Sequence, residues 1–99
     1  MPSFALHQTV EFAAQLEHLR TSPDLEKRYR AVCKCIRLLA DNPRHPGLNA
    51  HKFSSLSGAN QEEVWEVYAE NKTAGAYRVF WHYGPGRALI TLIAVTPHP

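Results

Sequence analysis

Residues 64–95 read VWEVYAENKTAGAYRVFWHYGPGRALITLIAV, and this stretch decides the fold. Its segments are rich in Val, Ile, Thr, Tyr, Phe and Trp, and two turn sequences separate them, Asn71–Gly75 and Gly84-Pro85-Gly86. β-Branched and aromatic residues favour strands, and turn residues at this spacing are typical of hairpins. The stretch therefore predicts three consecutive antiparallel strands, a β-meander.

Alternation along these strands predicts two different faces of the sheet, because successive side chains of a strand point in opposite directions. One set is largely apolar and suits packing against helices: Trp65, Val67, Ala69, Tyr77, Val79, Trp81 and Tyr83. The other set mixes aromatic with ionisable side chains: Glu66, Tyr68, Glu70, Arg78, Phe80 and His82. We therefore expect one face to hold helices and the other to be available for contact. Ala88–Val95 is apolar on both faces, as in a central or well-covered strand.

Arg78 lies in the middle predicted strand among large apolar neighbours. A guanidinium stays protonated and is seldom buried without a partner. Arg78 must therefore pair with a carboxylate, for which Glu66 on the adjacent strand is the candidate, or face a groove that an anion can enter. The first alternative makes Arg78 a structural residue, and the second makes it a functional one.

The chain of 99 residues predicts a single domain, residues 1–99, with room for one hydrophobic core. Eleven Lys and Arg against nine Asp and Glu give a net charge of +2, and six histidines can raise it at lower pH. This balance permits a polyanionic partner without requiring one.

Cysteine use and the N-terminal sequence favour an intracellular protein. Cys33 and Cys35, the only cysteines, point in different directions on a predicted helix, which disfavours a disulfide. They offer too few ligands for a structural zinc site, so we expect inert thiols, no metal and no cofactor. The N-terminus lacks a secretory pattern, and no run of roughly 18 apolar residues occurs. We therefore expect a soluble, cytoplasmic protein without a membrane segment.

Two helices are predicted before the meander. Thr9 is a candidate N-cap for a helix over about residues 10–20. Its apolar positions recur at helical spacing: Val10, Phe12, Ala13, Leu16 and Leu19. Ser22 and Pro23 predict the start of a second helix, which runs from Asp24 to about Asp41. Ser3–Leu6 is a candidate short edge strand.

The second predicted helix is amphipathic. Its apolar stripe consists of Leu25, Tyr29, Val32, Ile36, Leu39 and Ala40. A basic line on another side consists of Lys27, Arg30, Lys34 and Arg37. This line is either a solvated face or a docking strip for an acidic partner or for phosphates.

Residues 44–58, RHPGLNAHKFSSLSG, contain several basic side chains and no acidic residue. We expect a loop here, with a brief strand around His51–Phe53, that leads from the helices to the sheet. A basic loop beside a sheet edge is a suitable place to grip a phosphodiester backbone. An ordinary exposed connection is the alternative.

Several phrases and their order resemble a known family: NPRHPGLNAHKFSSLSG before the sheet, then VWEVY, AYRVFWHY and a last apolar strand ending at TPHP. Together with the two helices, they resemble the RelE/ParE superfamily of toxins from bacterial type II toxin–antitoxin systems over nearly the whole chain, with the RelE-like branch favoured. The resemblance implies an α+β domain with two N-terminal helices packed on a curved antiparallel sheet. It also implies neutralisation by a cognate antitoxin.

The resemblance implies roles for three residues. Arg78 stands where the RNA-cutting members place an arginine that contacts the scissile phosphate. His98 stands close to where members place a C-terminal histidine or tyrosine as general acid or base, although Thr96-Pro97 replaces their usual basic turn. Lys52 matches a lysine that faces the RNA in RelE-like members.

Cleavage of RNA by its own 2′-hydroxyl requires a base, an acid and cations near the phosphorane. Arg78 and Lys52 can supply the cations, and His98 can act as acid or base. Glu66 or His82, on the predicted face of Arg78, would complete the acid–base pair. The candidate catalytic residues are therefore Arg78, His98 and Glu66. Residues expected to contact RNA are Lys52, His51, Arg44, Tyr68 and His82.

Three functions are compatible with these observations. The first is an endoribonuclease that cuts mRNA on the ribosome and inhibits translation, as in the RelE-like branch. The second is a non-catalytic inhibitor of DNA gyrase, as in the ParE-like branch, and the third is a degenerate relative that acts only as a binding module. The expected partners are an antitoxin with an acidic, partly disordered segment and mRNA on the ribosome, and a homodimer is left open.

Overall fold

The predicted meander forms the centre of a mixed five-stranded sheet. The computed structural model describes residues 3–70 and 74–98, so residues 71–73 of the first predicted turn lie outside the described part. In chain order, the strands and α-helices of the described part are β1 (Ala5–Gln8), α1 (Val10–Thr21), α2 (Glu26–Asp41), β2 (His51–Ser57), β3 (Glu63–Tyr68), β4 (Tyr77–Tyr83) and β5 (Leu89–Pro97).

The strand order is β1-β5-β4-β3-β2. Strands β2 to β5 pair antiparallel as predicted, and β1 adds to the outer edge of β5 in parallel. The β4–β5 turn falls at the predicted glycines, where Gly84 has a φ of +78° that side chains with a Cβ rarely adopt. The apolar strand β5 therefore has a neighbour on each side.

Both helices pack on one face of the sheet, and the core lies between them. Its buried members are Phe12, Leu19, Val32, Cys35, Leu39, Leu48, Val67, Val79, Trp81, Ile90, Leu92 and Val95. The members from β3 and β4, Val67, Val79 and Trp81, belong to the face that alternation predicts to be apolar. We call the opposite side, which is not covered by either of the two described α-helices, the open face.

Three local predictions need correction. Val10 is 88% exposed and does not join the apolar stripe, because it lies at the first turn of α1, where the chain leaves β1. Ser22 does not cap α2; its hydroxyl donates to the carbonyl of His18 at 2.6 Å and closes the end of α1. Residues 51–57 form a full strand, where a loop with a brief strand was predicted, because β3 supplies backbone partners that local sequence does not reveal.

None of the helices in the described ranges is both long and apolar enough to cross a membrane.

Thr9 links α1 to β5 and provides a test of this packing. Its hydroxyl accepts from the Phe12 amide at 3.1 Å and donates to the Ile93 carbonyl at 2.8 Å. We expect Thr9→Ala to lower the free energy of unfolding by about 1–2 kcal/mol, because a helix cap and a cross-link to the sheet are lost together. Thr9→Ser keeps the hydroxyl and is the matched control in urea unfolding. Equal stability of the Ala and Ser variants would contradict the assigned role.

Cys35 is buried in the core, and burial raises the pKa of its thiol to about 12. A thiol with a raised pKa stays protonated near neutral pH, and the protonated form is a poor nucleophile. We expect Cys35 to resist alkylation in the native protein and to react only on unfolding, as followed by mass spectrometry. Cys33, which is half-buried, is the internal comparison. Rapid native-state labelling of Cys35 would show that the core opens readily.

Candidate functional site

The open face carries a connected group of polar and aromatic side chains drawn from β2, β3 and β4. Cross-strand pairing sets His51 opposite Glu66, Glu66 opposite Phe80, and Tyr68 opposite Arg78. Paired residues share a face, so the alternating pattern of the three strands brings these side chains to the same side. The location is the one that alternation along the meander predicts.

Glu66 is the centre of this group. Its side chain is only 6% exposed, and each carboxylate oxygen has a partner. Nε2 of His51 lies 2.7 Å from Oε1, and NH1 of Arg78 donates to Oε2 at 3.0 Å. A carboxylate is rarely buried unless it is paired and hydrogen-bonded, and both donors are needed here.

The His51 ring is held at both nitrogens. Nδ1 lies 3.0 Å from the carbonyl oxygen of Asn49, and Nε2 faces the Glu66 carboxylate. Both neighbours are acceptors, so only the doubly protonated ring can donate to both at once. The side chain is 44% exposed, and His51 is therefore an oriented imidazole that solvent or a ligand can reach.

Arg78 is more enclosed than His51. Its side chain is 16% exposed, and its guanidinium carbon lies 4.9 Å from the Phe80 ring centroid and 6.0 Å from that of Phe53. Its Nε is buried and has no hydrogen-bond partner within the described ranges. Arg78 thus takes the structural alternative, the ion pair with Glu66, and only a small part of its side chain remains for an anion.

Tyr68 and His98 extend the group toward the end of β5. The Tyr68 ring centroid lies 6.5 Å from that of His51 and 5.8 Å from that of His98. The backbone of His98 is fixed, because its amide donates to the Ala76 carbonyl at 2.8 Å and its carbonyl accepts from the Gly75 amide at 3.0 Å. His98 continues the β4–β5 pairing beyond Pro97, which places its ring beside Tyr68.

Three residues predicted to contact RNA lie outside this group in the structure: Lys52, Arg44 and His82. Lys52 pairs with Trp65 in the β2–β3 register, one position from the His51–Glu66 pair, so its side chain lies on the opposite face. There it forms an ion pair with Glu63 at 2.8 Å. Arg44 lies in the exposed segment between α2 and β2 and lines a cavity with Trp65 and Trp81.

His82 shares the open face with Arg78, as predicted, but lies farther along β4. It is buried, and its Nδ1 lies 2.8 Å from the Tyr83 carbonyl. Glu62, which lines a cavity together with His82, has a lowered pKa. Hydrogen bonds from its own amide and from that of Asn60 lower the Glu62 pKa first of all, and the charge of His82 adds to the effect.

The sequence analysis did not identify Phe53 as a site residue. It named His51 as an RNA contact but did not predict that His51 lies beside Glu66. Phe53 packs against Phe80 at 4.8 Å between ring centroids and forms part of the floor under Arg78. Phe53 was missed because residues 51–57 have no strong strand pattern.

Within residues 3–70 and 74–98, no cluster of three or more His, Cys, Asp or Glu has the geometry to hold a metal ion.

Comparison with known proteins identifies the fold. No family model matches the chain, and no curated protein sequence matches it. A chain of the crystal structure of the archaeal RelE–RelB complex from Pyrococcus horikoshii OT3 superposes with a TM-score of 0.64. The match covers 96% of this chain and 94% of that chain at 14% sequence identity. The protein therefore has a RelE-like fold, which confirms the fold that the sequence resemblance implied.

The Arg78–Glu66 pair can be tested by stability. Arg78→Met removes one partner of a buried carboxylate, so we expect the free energy of unfolding to fall by about 3 kcal/mol in urea titrations. Arg20→Met is the matched control, because Arg20 pairs with Glu17 at the surface, where both side chains are more than half exposed. That change should leave the free energy of unfolding almost unchanged, because solvent screens the exposed pair. Equal costs for the two variants would show that the open-face pair does not support the fold.

Proposed function

We propose that this protein is the toxin of a toxin–antitoxin pair and cuts mRNA on the ribosome. One observation carries the proposal: an exposed, doubly held His51, a guanidinium, a tyrosine and a second histidine meet on one uncovered sheet face. The RelE-like fold supports it. The relative with this fold was solved with RelB, and we infer a corresponding antitoxin for this chain.

The open face has the groups that RNA cleavage requires. A base removes the proton of the 2′-hydroxyl, the 2′-oxygen attacks phosphorus, and the bond from phosphorus to the 5′-oxygen breaks. An acid protonates the departing 5′-oxygen, and the products are a 2′,3′-cyclic phosphate and a 5′-hydroxyl. We assign His51 to the acid and His98 to the base; to protonate the 5′-oxygen, His51 exchanges one of its two protein acceptors, Asn49 or Glu66, for that oxygen. Arg78 stabilises the charge that develops on the phosphate.

Glu66 receives a different role from the one predicted for it. Both its oxygens are occupied and its side chain is 6% exposed, so it has no direct access to substrate. We assign it as a positioning residue that orients His51 and Arg78. The same logic makes a carboxylate that hydrogen-bonds a catalytic histidine effective without contacting the reacting atoms.

The partner surfaces follow from exposure and charge. The basic line of α2, Lys27, Arg30, Lys34 and Arg37, is fully exposed, with Arg30 paired to Glu26 at 2.7 Å. It suits the acidic antitoxin segment or the phosphates of ribosomal RNA. We place the protein in the cytoplasm, because ribosomes and mRNA are there.

One observation favours the second candidate function, gyrase inhibition without catalysis. Arg78 is largely enclosed and paired with Glu66, so a phosphate must compete with that carboxylate or bind at the small exposed part of the group. A protein that inhibits gyrase by contact alone would not need a free guanidinium. The two candidates predict different damage in the cell.

Inducible expression distinguishes the nuclease from the gyrase inhibitor, and His51 and His98 are the residues to substitute. Arg78→Ala is a poor probe because it leaves a buried carboxylate without its charged partner. We expect His51→Ala and His98→Ala each to reduce transcript cleavage by about 100-fold or more, since each removes an acid or a base. Cleavage is measured by sequencing transcript 5′ ends after induction, and His98→Ala is expected to retain the native unfolding midpoint. His51→Ala removes one of the two partners of the buried Glu66 carboxylate, so His51→Gln, whose amide can still donate to Glu66, is the variant that separates loss of the acid from loss of stability.

His18→Ala is the matched control, because His18 is exposed on α1, which packs on the side of the sheet away from the open face. It should cleave like the wild type. Growth arrest with intact transcripts and gyrase-dependent DNA breaks would replace the nuclease by the gyrase inhibitor. Absence of toxicity in the wild type would leave a binding module.

A further inference from the structure

A cavity of about 670 Å³ lies on the helix side of the sheet, away from the open face. It is bounded by the segment between α2 and β2 and by aromatic side chains of β3 and β4. The volume falls in the range of pockets that hold small ligands. None of the groups assigned to RNA cleavage lines it.

Three aromatic side chains make one wall of this cavity: Trp65, Trp81 and Tyr83. The two indoles stack with centroids 6.0 Å apart and an interplanar angle of 19°. Tyr83 meets Trp81 edge-on at 5.0 Å and is 39% exposed. A continuous aromatic surface of this kind suits a planar, unsaturated ring.

The charged side chains in the cavity lining are basic. Arg44 and His45 are exposed there, and none of the carboxylates in the described residues lines the cavity. Hydrogen bonds fix the Arg44 backbone and the His45 ring. The Arg44 amide donates to Oδ1 of Asn42 at 3.1 Å, and the Gly47 amide donates to Nδ1 of His45 at 2.9 Å. Since Nδ1 accepts, the neutral ring carries its proton on Nε2 and remains a donor. This wall suits an anion.

Trp81 provides a reporter of binding at this wall. The residue is 1% exposed, it lines the cavity, and its indole Nε1 is buried without a hydrogen-bond partner among the described residues. A ligand seated against Trp65 and Tyr83 would change the surroundings of this N–H, because both rings contact the Trp81 ring.

We propose that this cavity is a nucleotide-binding site, with the base against the aromatic wall and the phosphate at Arg44 and His45. The ligand is either a free nucleotide or one residue of a single-stranded nucleic acid. The proposal does not depend on cleavage, because the site lies across the sheet from His51 and His98. It gives Arg44 a nucleic-acid contact remote from the open face.

The two indole N–H signals of the ¹⁵N-labelled protein provide the test, because Trp65 and Trp81 are the only tryptophans. Trp65→Phe assigns them. Titration with the four nucleoside monophosphates at millimolar concentration should shift the Trp81 signal in a saturable way. Arg44→Ala should weaken binding by at least about fivefold, the loss expected for one charge-assisted contact. Arg20→Ala, an exposed arginine on α1 with no assigned binding role, should leave it unchanged.

Further arms identify the source and the chemistry. Tighter binding of a DNA trinucleotide, which lacks the 2′-hydroxyl and cannot be cut, than of a mononucleotide would identify a nucleic-acid chain; equal binding would identify a free nucleotide. Inorganic phosphate alone should not shift the Trp81 signal. The proposal is overturned if no nucleotide moves the indole signals, if the nucleoside without phosphate binds equally well, or if Arg20→Ala weakens binding as much as Arg44→Ala.

Discussion

The buried carboxylate of Glu66 is the constraint on which the open face depends. A charge that is 94% enclosed must be neutralised and hydrogen-bonded, and the two groups that do so come from the strands on either side, His51 from β2 and Arg78 from β4. The same contacts therefore join three strands and fix the two side chains to which we assign roles in the proposed cleavage. Structural and functional readings of Arg78 are not exclusive, because the pairing that stabilises the fold also holds the guanidinium in a defined place.

The asymmetry of the sheet assigns separate tasks to its two sides. The helix side is filled by the apolar residues of both helices and of β3, β4 and β5. The open face has only a small aromatic floor, Phe53 and Phe80, beneath Arg78. Glu66 and Arg78 are largely enclosed on this surface, and His51, with 44% of its side chain exposed, remains accessible to a charged partner. This arrangement favours contact with a polyanion over further packing.

Periodicity predicted the parts of this fold that depend on local pattern. The meander, the shared face of Glu66, Tyr68 and Arg78, and the helix boundaries follow from it within a few residues. The parallel pairing of β1 with β5 and the length of β2 depend on distant partners and could not be read locally.

The placement of some predicted site residues could not be derived from the sequence for a related reason: a one-residue step along a strand changes the face. The Lys52 side chain therefore lies on the other face of the sheet from the His51 side chain, although the two residues are adjacent in sequence. Only the pairing of β2 with β3 reveals that His51, and not Lys52, reaches Glu66. The cavity at Arg44 could not be predicted either, because residues from separate parts of the chain form it.

The most direct measurement of the central claim is a structure of the protein on a ribosome whose mRNA carries 2′-O-methyl groups that block cleavage. The account predicts an mRNA phosphate within hydrogen-bond distance of Arg78 and flanked by His51 and His98; mRNA absent from the open face, with Arg78 still enclosed against Glu66, would contradict it.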